Sequence, residues 1–164
     1  MRQMVLIAHN IRSAHNIGSL MRTAEGLGVK QMYITGFSPY PLSSDDKRLP
    51  HMAAKVSARI HKTSLGAEKH LKWSYSENIN PIIDKLKTDD FRLAALEQSK
   101  DSIMLNNYHP PDRIALLVGS EIGGVDTGVM KLCDDILEIP MNGQKESFNV
   151  AVAAGMALFY LVIA

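Results

Sequence analysis

The sequence predicts an α/β protein, a mostly parallel sheet with helices on both faces, built as a single domain over residues 1–164. Three observations lead there. Short apolar runs bounded by turns alternate with stretches of helical period. Those runs are continuous rather than alternating, as in strands covered on both faces. The 164 residues, 46% hydrophobic and 21% charged, suffice for a core without staples. The single Cys133 cannot form an internal disulfide, which points to a reducing cytoplasm. Six histidines and one cysteine show no HExxH or CxxC spacing, so no metal site is expected. Met1-Arg2-Gln3-Met4 carries neither the apolar core nor the cleavage site of a signal peptide.

The elements follow in order. Val5–Ala8 is a buried strand, followed by a polar loop from His9 to His15. Ile17, Leu20, Met21, Ala24 and Leu27 then recur at helical spacing, with Asn16 as the expected N-cap and Gly28 as the stop. Gln31–Thr35 is a second strand, which completes a βαβ unit and implies a parallel sheet. Residues 36–46 are turn-rich, Pro50–Ala58 is helical, and 59–75 show no clear period. Ile79, Ile82, Ile83 and Leu86 mark a helix with Ser76 as its cap. Leu93–Leu96 and Ile114–Val118 are strands, Asp126–Cys133 is a short helix capped by Asp126, and Ile136–Ile139 is a strand ended by Pro140. Phe148–Ala164 is apolar on almost every face and is expected to be capped by Ser147. Its seventeen residues sit at the lower limit for a membrane span. Asn149 and the small residues Ala151, Ala153, Ala154, Gly155 and Ala157 favour instead a helix buried in the core and in a subunit interface.

A net charge of +1 conceals a basic block. Residues 47–72 hold Lys47, Arg48, Lys55, Arg59, Lys62, Lys69 and Lys72 against Glu68 alone. Such a block is either a polyanion contact or a solvated face balanced by the fold.

Three polar clusters each follow a predicted strand, where open α/β sheets place their ligands. The first runs from Asn10 and Arg12 to Asn16 and Arg22. The second is Gly119-Ser120-Glu121-Ile122-Gly123-Gly124. It is neither a dinucleotide fingerprint nor a P-loop, and its acid would repel a phosphate. The third is Ile139-Pro140-Met141-Asn142-Gly143 followed by Glu146-Ser147-Phe148-Asn149-Val150. Asn149 then stands in the first turn of an apolar helix, where its amide needs a partner.

Together, in this order and spacing, the clusters resemble motifs 1, 2 and 3 of the SpoU/TrmH-type RNA 2′-O-ribose methyltransferases of the SPOUT superfamily. Motif 1 matches at Asn10 and at Asn16-x-Gly18-x-x-x-Arg22, and motif 2 at Gly119-x-Glu121-x-x-Gly124. Motif 3 matches at both halves of the third cluster, with Phe148 where leucine is usual. The resemblance covers residue 5 to the C-terminus. It implies a C-terminal trefoil knot and S-adenosylmethionine as methyl donor, bound by Leu96, Glu97, Gly119, Ile139, Met141, Ser147 and Phe148. It implies catalytic roles for Arg22, Asn16, Glu121, Ser147 and Asn149, a homodimer and no metal. A guanidinium is not normally a base, so Arg22 is expected to bind phosphate and stabilise the developing alkoxide. Without the extra RNA-binding domain of several relatives, the RNA contacts fall to Asn10, Arg12, Lys47, Arg48, Lys55, Arg59 and Lys62. A compact chain suits tRNA better than rRNA. The alternatives are a non-catalytic RNA-binding protein of the same fold and, behind it, a membrane-anchored one.

Overall fold

The computed structural model describes residues 2–164. Seven strands form one sheet: β1 (Gln3–His9), β2 (Gln31–Thr35), β3 (Trp73–Ser76), β4 (Arg92–Leu96), β5 (Ile103–Met104), β6 (Arg113–Val118) and β7 (Asp135–Glu138). Every neighbouring pair is parallel, in the order β3-β2-β1-β6-β4-β7-β5. The helices are α1 (Ala14–Gly26), α2 (Pro50–Ser64), α3 (Asn80–Thr88), α4 (Thr127–Met130) and α5 (Val150–Ile163).

Alternate residues of each strand feed two cores. Met4, Leu6 and Ala8 of β1 face a cluster with Ile17, Leu20 and Met21 of α1, Ile60 of α2 and Leu158 of α5. Val5 and Ile7 face the other, with Ile83 and Leu86 of α3 and Val129 and Met130 of α4. The predicted burial of both sheet faces is therefore observed. The chain moves outward from β1 to β3, then crosses back so that β6 lies between β1 and β4. Strand order reverses at β1/β6, the position where a doubly covered sheet opens a crevice beyond its strand ends.

Several boundaries differ from the sequence reading. Ser13, not Asn16, caps α1: its Oγ accepts the Asn16 N–H at 3.3 Å. Gly28 does follow the helix, at φ +71°. Helix α2 continues six residues past Ala58, through basic residues that obscure its Val56 and Ile60 stripe. Ser76 ends β3 and does not cap α3, whose N-cap position is Ile79. Asp126 caps α4 by accepting from the N–H groups of Gly128 and Val129, but that helix ends at Met130. Asn149, not Ser147, caps α5 by accepting from the N–H groups of Ala151 and Val152.

Gly18 sets the helix layer. A Cβ on Gly18 would fall 2.1 Å from Thr63 Oγ1 and 2.2 Å from the Ile60 carbonyl, so α1 and α2 cross backbone to backbone there. At Gly155 a Cβ would lie 3.6 Å from Thr23 Cγ2, an ordinary contact. Helix α5 buries Ala154, Ala157, Leu158 and Leu161 but leaves Val152, Phe159, Val162 and Ile163 exposed. The chain alone therefore covers only one face of the helix expected to be buried all round. No helix among the described residues is long and apolar enough to cross a membrane.

Candidate active site

The loops after β4, β6 and β7 and the first turns of α5 enclose a cavity of about 370 Å³. Its apolar wall is Leu96, Val118, Leu137, Ile139, Met141, Phe148, Val150 and Ala153. All seven residues expected at the cofactor line it, as do Glu121 and Asn149. None of the described residues that line it is lysine, arginine or histidine; Glu97, Glu121 and Glu146 are its charged members.

The floor is a closed turn. Ser120 N–H donates to the Gly124 carbonyl and Gly124 N–H to the Ser120 carbonyl, both at 2.9 Å. Gly124 has φ +63°, and a Cβ there would lie 1.9 Å from Glu97 Oε2, so only glycine fits. A Cβ on Gly119 would meet the Gly124 carbonyl at 2.2 Å. Glu97 fastens the turn to β4: its Oε2 accepts from Val125 N–H and its Oε1 from Gln98 N–H, each at 2.9 Å.

One chain of hydrogen bonds joins the three sequence clusters. Glu121 Oε1 accepts from Asn16 Nδ2 at 2.8 Å and from Ser13 N–H at 3.1 Å, while Oε2 accepts from Arg12 N–H at 2.9 Å. Asn149 Nδ2 donates to Asn16 Oδ1 at 3.2 Å. Because Ser13 takes the cap, the Asn16 amide is free to bridge Glu121 and Asn149. Burial alone would raise the Glu121 carboxyl. The Arg12 N–H, the Asn16 amide and the Ser13 N–H outweigh it and hold the group below its ordinary value. Both Glu121 oxygens are thus engaged by donors of the first cluster. Ser147 lies exposed at the cavity rim.

Arg22 is brought elsewhere. It is exposed, nearly two turns along α1 from Asn16, and does not line the cavity of its own chain.

The expected RNA contacts divide. Lys55, Arg59 and Lys62 form one exposed stripe on α2 at i, i+4 and i+7, and Lys47 is exposed in the preceding loop. Arg12 and Arg59 share a second hollow, of about 380 Å³, with Ser13, Ala14 and His15. Arg48 is committed internally. Its guanidinium pairs with both Asp46 oxygens, donates to the Tyr40 and Pro41 carbonyls and lies 3.6 Å from the Tyr40 ring centre. These partners tie the loop before α2 together. Asn10, at φ +57°, is also engaged: its Oδ1 accepts from Phe37 N–H at 3.2 Å and its Nδ2 donates to His9 Nε2 at 3.1 Å. His9 Nδ1–H then donates to Thr35 Oγ1 at 2.9 Å, which fixes a neutral imidazole. Burial lowers the His9 pKa against the opposing pull of Asp126.

Ser120, Ile122 and Glu146 of the second and third clusters also line the cavity, though the sequence reading gives them no contact, and Gln98 lines it without having been singled out at all. Gln98 had no motif to flag it, yet its Nε2 donates to the Glu146 carbonyl at 2.8 Å and ties down the loop before α5.

A profile of the SpoU rRNA methylase family matches residues 3–159. The chain is 27% identical over 161 residues to the tRNA (guanosine(18)-2′-O)-methyltransferase of Aquifex aeolicus, covering 96% of this chain and 68% of that protein. It superposes with a TM-score of 0.80 on the SpoU methyltransferase AviRb of Streptomyces viridochromogenes in complex with AdoMet, at 21% identity, covering 98% of this chain and 57% of that one. A structure described as bearing on 2′-OH methylation of C/U34 on tRNA gives a TM-score of 0.79 at 22% identity, covering 98% of this chain and 94% of that one. The chain thus spans between little over half and nearly all of these proteins. With the profile match running through all three motifs and the parallel sheet common to these structures, this chain belongs to the SpoU methylase family.

Proposed function

We propose that the chain is an S-adenosylmethionine-dependent RNA methyltransferase that methylates a ribose 2′-hydroxyl of tRNA, acting as a homodimer in the cytoplasm. The observation that carries this reading is the make-up of the cavity. Its walls are apolar side chains and glycine backbone, its charges are carboxylates, and no basic side chain stands among the described lining residues. A phosphate-bearing cofactor would find no counter-charge there. A flat adenine with a sulfonium cation fits both the walls and the acids, and the volume lies in the range of small-molecule sites. No cluster of metal-ligating side chains occurs among the described residues. The reading includes the family's C-terminal knot.

When bound, S-adenosylmethionine supplies an electrophilic methyl group to the attacking ribose oxygen. This chain's residues do the rest. Leu96, Ile139, Met141 and Phe148 exclude water from the adenosine. Gly119 and the turn it opens bring backbone groups close to the ligand. Glu121, Asn16 and Asn149 hold α1 and α5 in fixed relation, and Ser147 adds a hydroxyl at the rim. Holding the reactants in line is worth roughly 7–11 kcal/mol at best. Arg22 binds the phosphate beside the target ribose and stabilises the charge that develops on the ribose oxygen as its proton passes to solvent water. Because Arg22 lies outside its own chain's cavity, it serves the cavity of the second copy. The exposed stripe of α5, Val152, Phe159 and Ile163, supports such a pairing. Lys47, Lys55, Arg59, Lys62 and Arg12 hold the RNA backbone.

The test is methyl transfer from labelled S-adenosylmethionine to unmodified tRNA and, separately, to rRNA. Nuclease digestion should yield a 2′-O-methyl nucleoside from tRNA. Label on a base, or on rRNA alone, would overturn the corresponding part of the reading. Binding of tRNA without transfer would favour the non-catalytic alternative. Arg22→Ala should lose most transfer while cofactor affinity stays near wild type. Arg22→Lys should also lose most, since lysine lacks the planar fork for a bidentate phosphate contact.

A further inference from the structure

We propose that Phe37 is a stacking platform for a base of the bound RNA. The idea rests on the RNA-binding reading above and adds to it an apolar contact within an otherwise cationic surface.

Phe37 follows β2 at the carboxyl edge of the sheet, and 63% of it is exposed. Exposed phenylalanines on loose loops are unremarkable, but this one is held on fixed backbone. Gly36 has φ +69°, and a Cβ there would fall 1.9 Å from Asn10 Oδ1. Gly36 N–H donates to the Ser76 carbonyl at 3.1 Å, and the Gly36 carbonyl accepts from Tyr75 Oη–H at 2.7 Å. Phe37 N–H donates to Asn10 Oδ1. Ser38 is buried, accepts from Ile11 N–H at 2.8 Å and donates to the Thr35 carbonyl at 2.8 Å. Residues 36 and 38 are thus pinned to the strands and Phe37 to Asn10, the residue that follows β1, while the ring between them meets solvent. The polar network of His9, Asn10 and Thr35 is spent on holding this position.

The surroundings choose the occupant. Tyr75 stacks on Tyr40 with ring centres 3.9 Å apart, and the Arg48 guanidinium covers the other face of this aromatic pair. Asn10, which holds Phe37, lies two residues before Arg12, and Arg12 shares its hollow with Arg59 of the α2 stripe. An exposed aromatic face on a surface that also carries a cationic stripe is the combination that binds single-stranded nucleic acid: cations take phosphates and the ring takes a base. A partner protein segment would not need the cations, so the occupant is a nucleobase from an unpaired stretch of RNA, as in a loop.

Phe37→Ala tests this in the full-length protein, because removing an exposed ring leaves the core untouched. The probes are unmodified tRNA, a twelve-residue oligo(A) and an abasic oligonucleotide of equal length and charge. Loss of one stacked base should weaken tRNA and oligo(A) binding by about tenfold. It should raise the KM for tRNA more than it lowers kcat, and leave the salt slope, S-adenosylmethionine affinity and abasic binding at wild-type values. Phe37→Trp should restore affinity and show fluorescence quenching by oligo(A) above the wild-type signal from Trp73. Unchanged tRNA affinity in Phe37→Ala would overturn the proposal, as would an equal loss with the abasic probe. Dissociation of a wild-type dimer by Phe37→Ala would overturn it too and assign the ring to a subunit contact. Failure of the wild type to bind any RNA would instead defeat the RNA reading itself.

Discussion

Both carboxylate oxygens of Glu121 are occupied by donors from the first cluster. The sequence presents it as an acid among glycines, which suits neither plain turn chemistry nor a phosphate loop. The structure resolves this: the carboxylate collects two N–H groups before α1 and the Asn16 amide, and Asn16 passes the link to Asn149. The motif residues were legible because each is polar where the neighbourhood is apolar or glycine-rich. Their linkage was not, since it joins positions more than a hundred residues apart. Asn16 was misassigned as a cap for the same reason: cap preference is local and Ser13 satisfies it equally well. Glu121→Gln keeps the shape but turns an NH₂ toward N–H donors. It should cost about 1–2 kcal/mol in urea unfolding at pH 7. The Glu121 pKa is lowered in the folded state, so its contribution is present above the unfolded value and is lost as pH falls through the folded one. The gap between wild type and variant should therefore close in acid. A gap that stays constant while acid protonates the carboxyl would show that the charge of Glu121 is not what stabilises the fold.

At the scale of elements, the sequence identifies the inner strands better than the edge strands or the helix ends: β3 and β5, at the two edges of the sheet, have no counterpart in the sequence reading. Continuous runs such as Ile114–Val118, short and bounded by turn residues, read as buried strands, and β6 is observed one residue longer. Helix α2 was truncated in the reading because its partner-facing residues are few: Ala53, Ile60 and Ser64 are buried among histidines, lysines and arginine. What fixes α2 is Gly18 on the opposing helix, a motif residue whose reason is packing. Gly18→Ala would drive a methyl group into the Ile60 carbonyl, which cannot swing away as a side-chain end could. The expected loss is about 1–3 kcal/mol. Gly26→Ala is the matched control, since a Cβ there meets nothing within 4 Å. It should be neutral or stabilising by up to about 1 kcal/mol, as Ala is the better helix former. Equal effects at the two positions, measured by urea unfolding, would show that helix propensity and not the α1/α2 crossing governs Gly18.

At the scale of the molecule, the cavity and Arg22 are separated within one chain, and α5 carries an apolar face that this chain does not cover. Both features have the same resolution if two copies pair through α5 and exchange their α1 arginines. The apolarity of α5 was plain in the sequence. Which face stays open was not, because nearly every position on it is apolar and only the fold says which side meets α1 and the sheet. Phe159→Glu would place a charge on the open face and should yield monomers in sedimentation, with transfer lost and S-adenosylmethionine still bound. Subunit mixing makes the sharper measurement. An Arg22→Ala chain keeps its cavity, and a Ser147→Trp chain, with its cavity rim blocked, keeps its arginine. Each homodimer should be inactive. If the arginine acts across the interface, a mixed dimer has one complete site: the cavity of the first chain with Arg22 of the second. Random exchange of equal amounts makes half of the dimers mixed with one of two sites restored, so activity should return to roughly a quarter of wild type. If Arg22 instead served its own chain, no dimer in the mixture would hold a working site. Activity would stay at the level of the two parents, and the open face of α5 would need another explanation than catalysis.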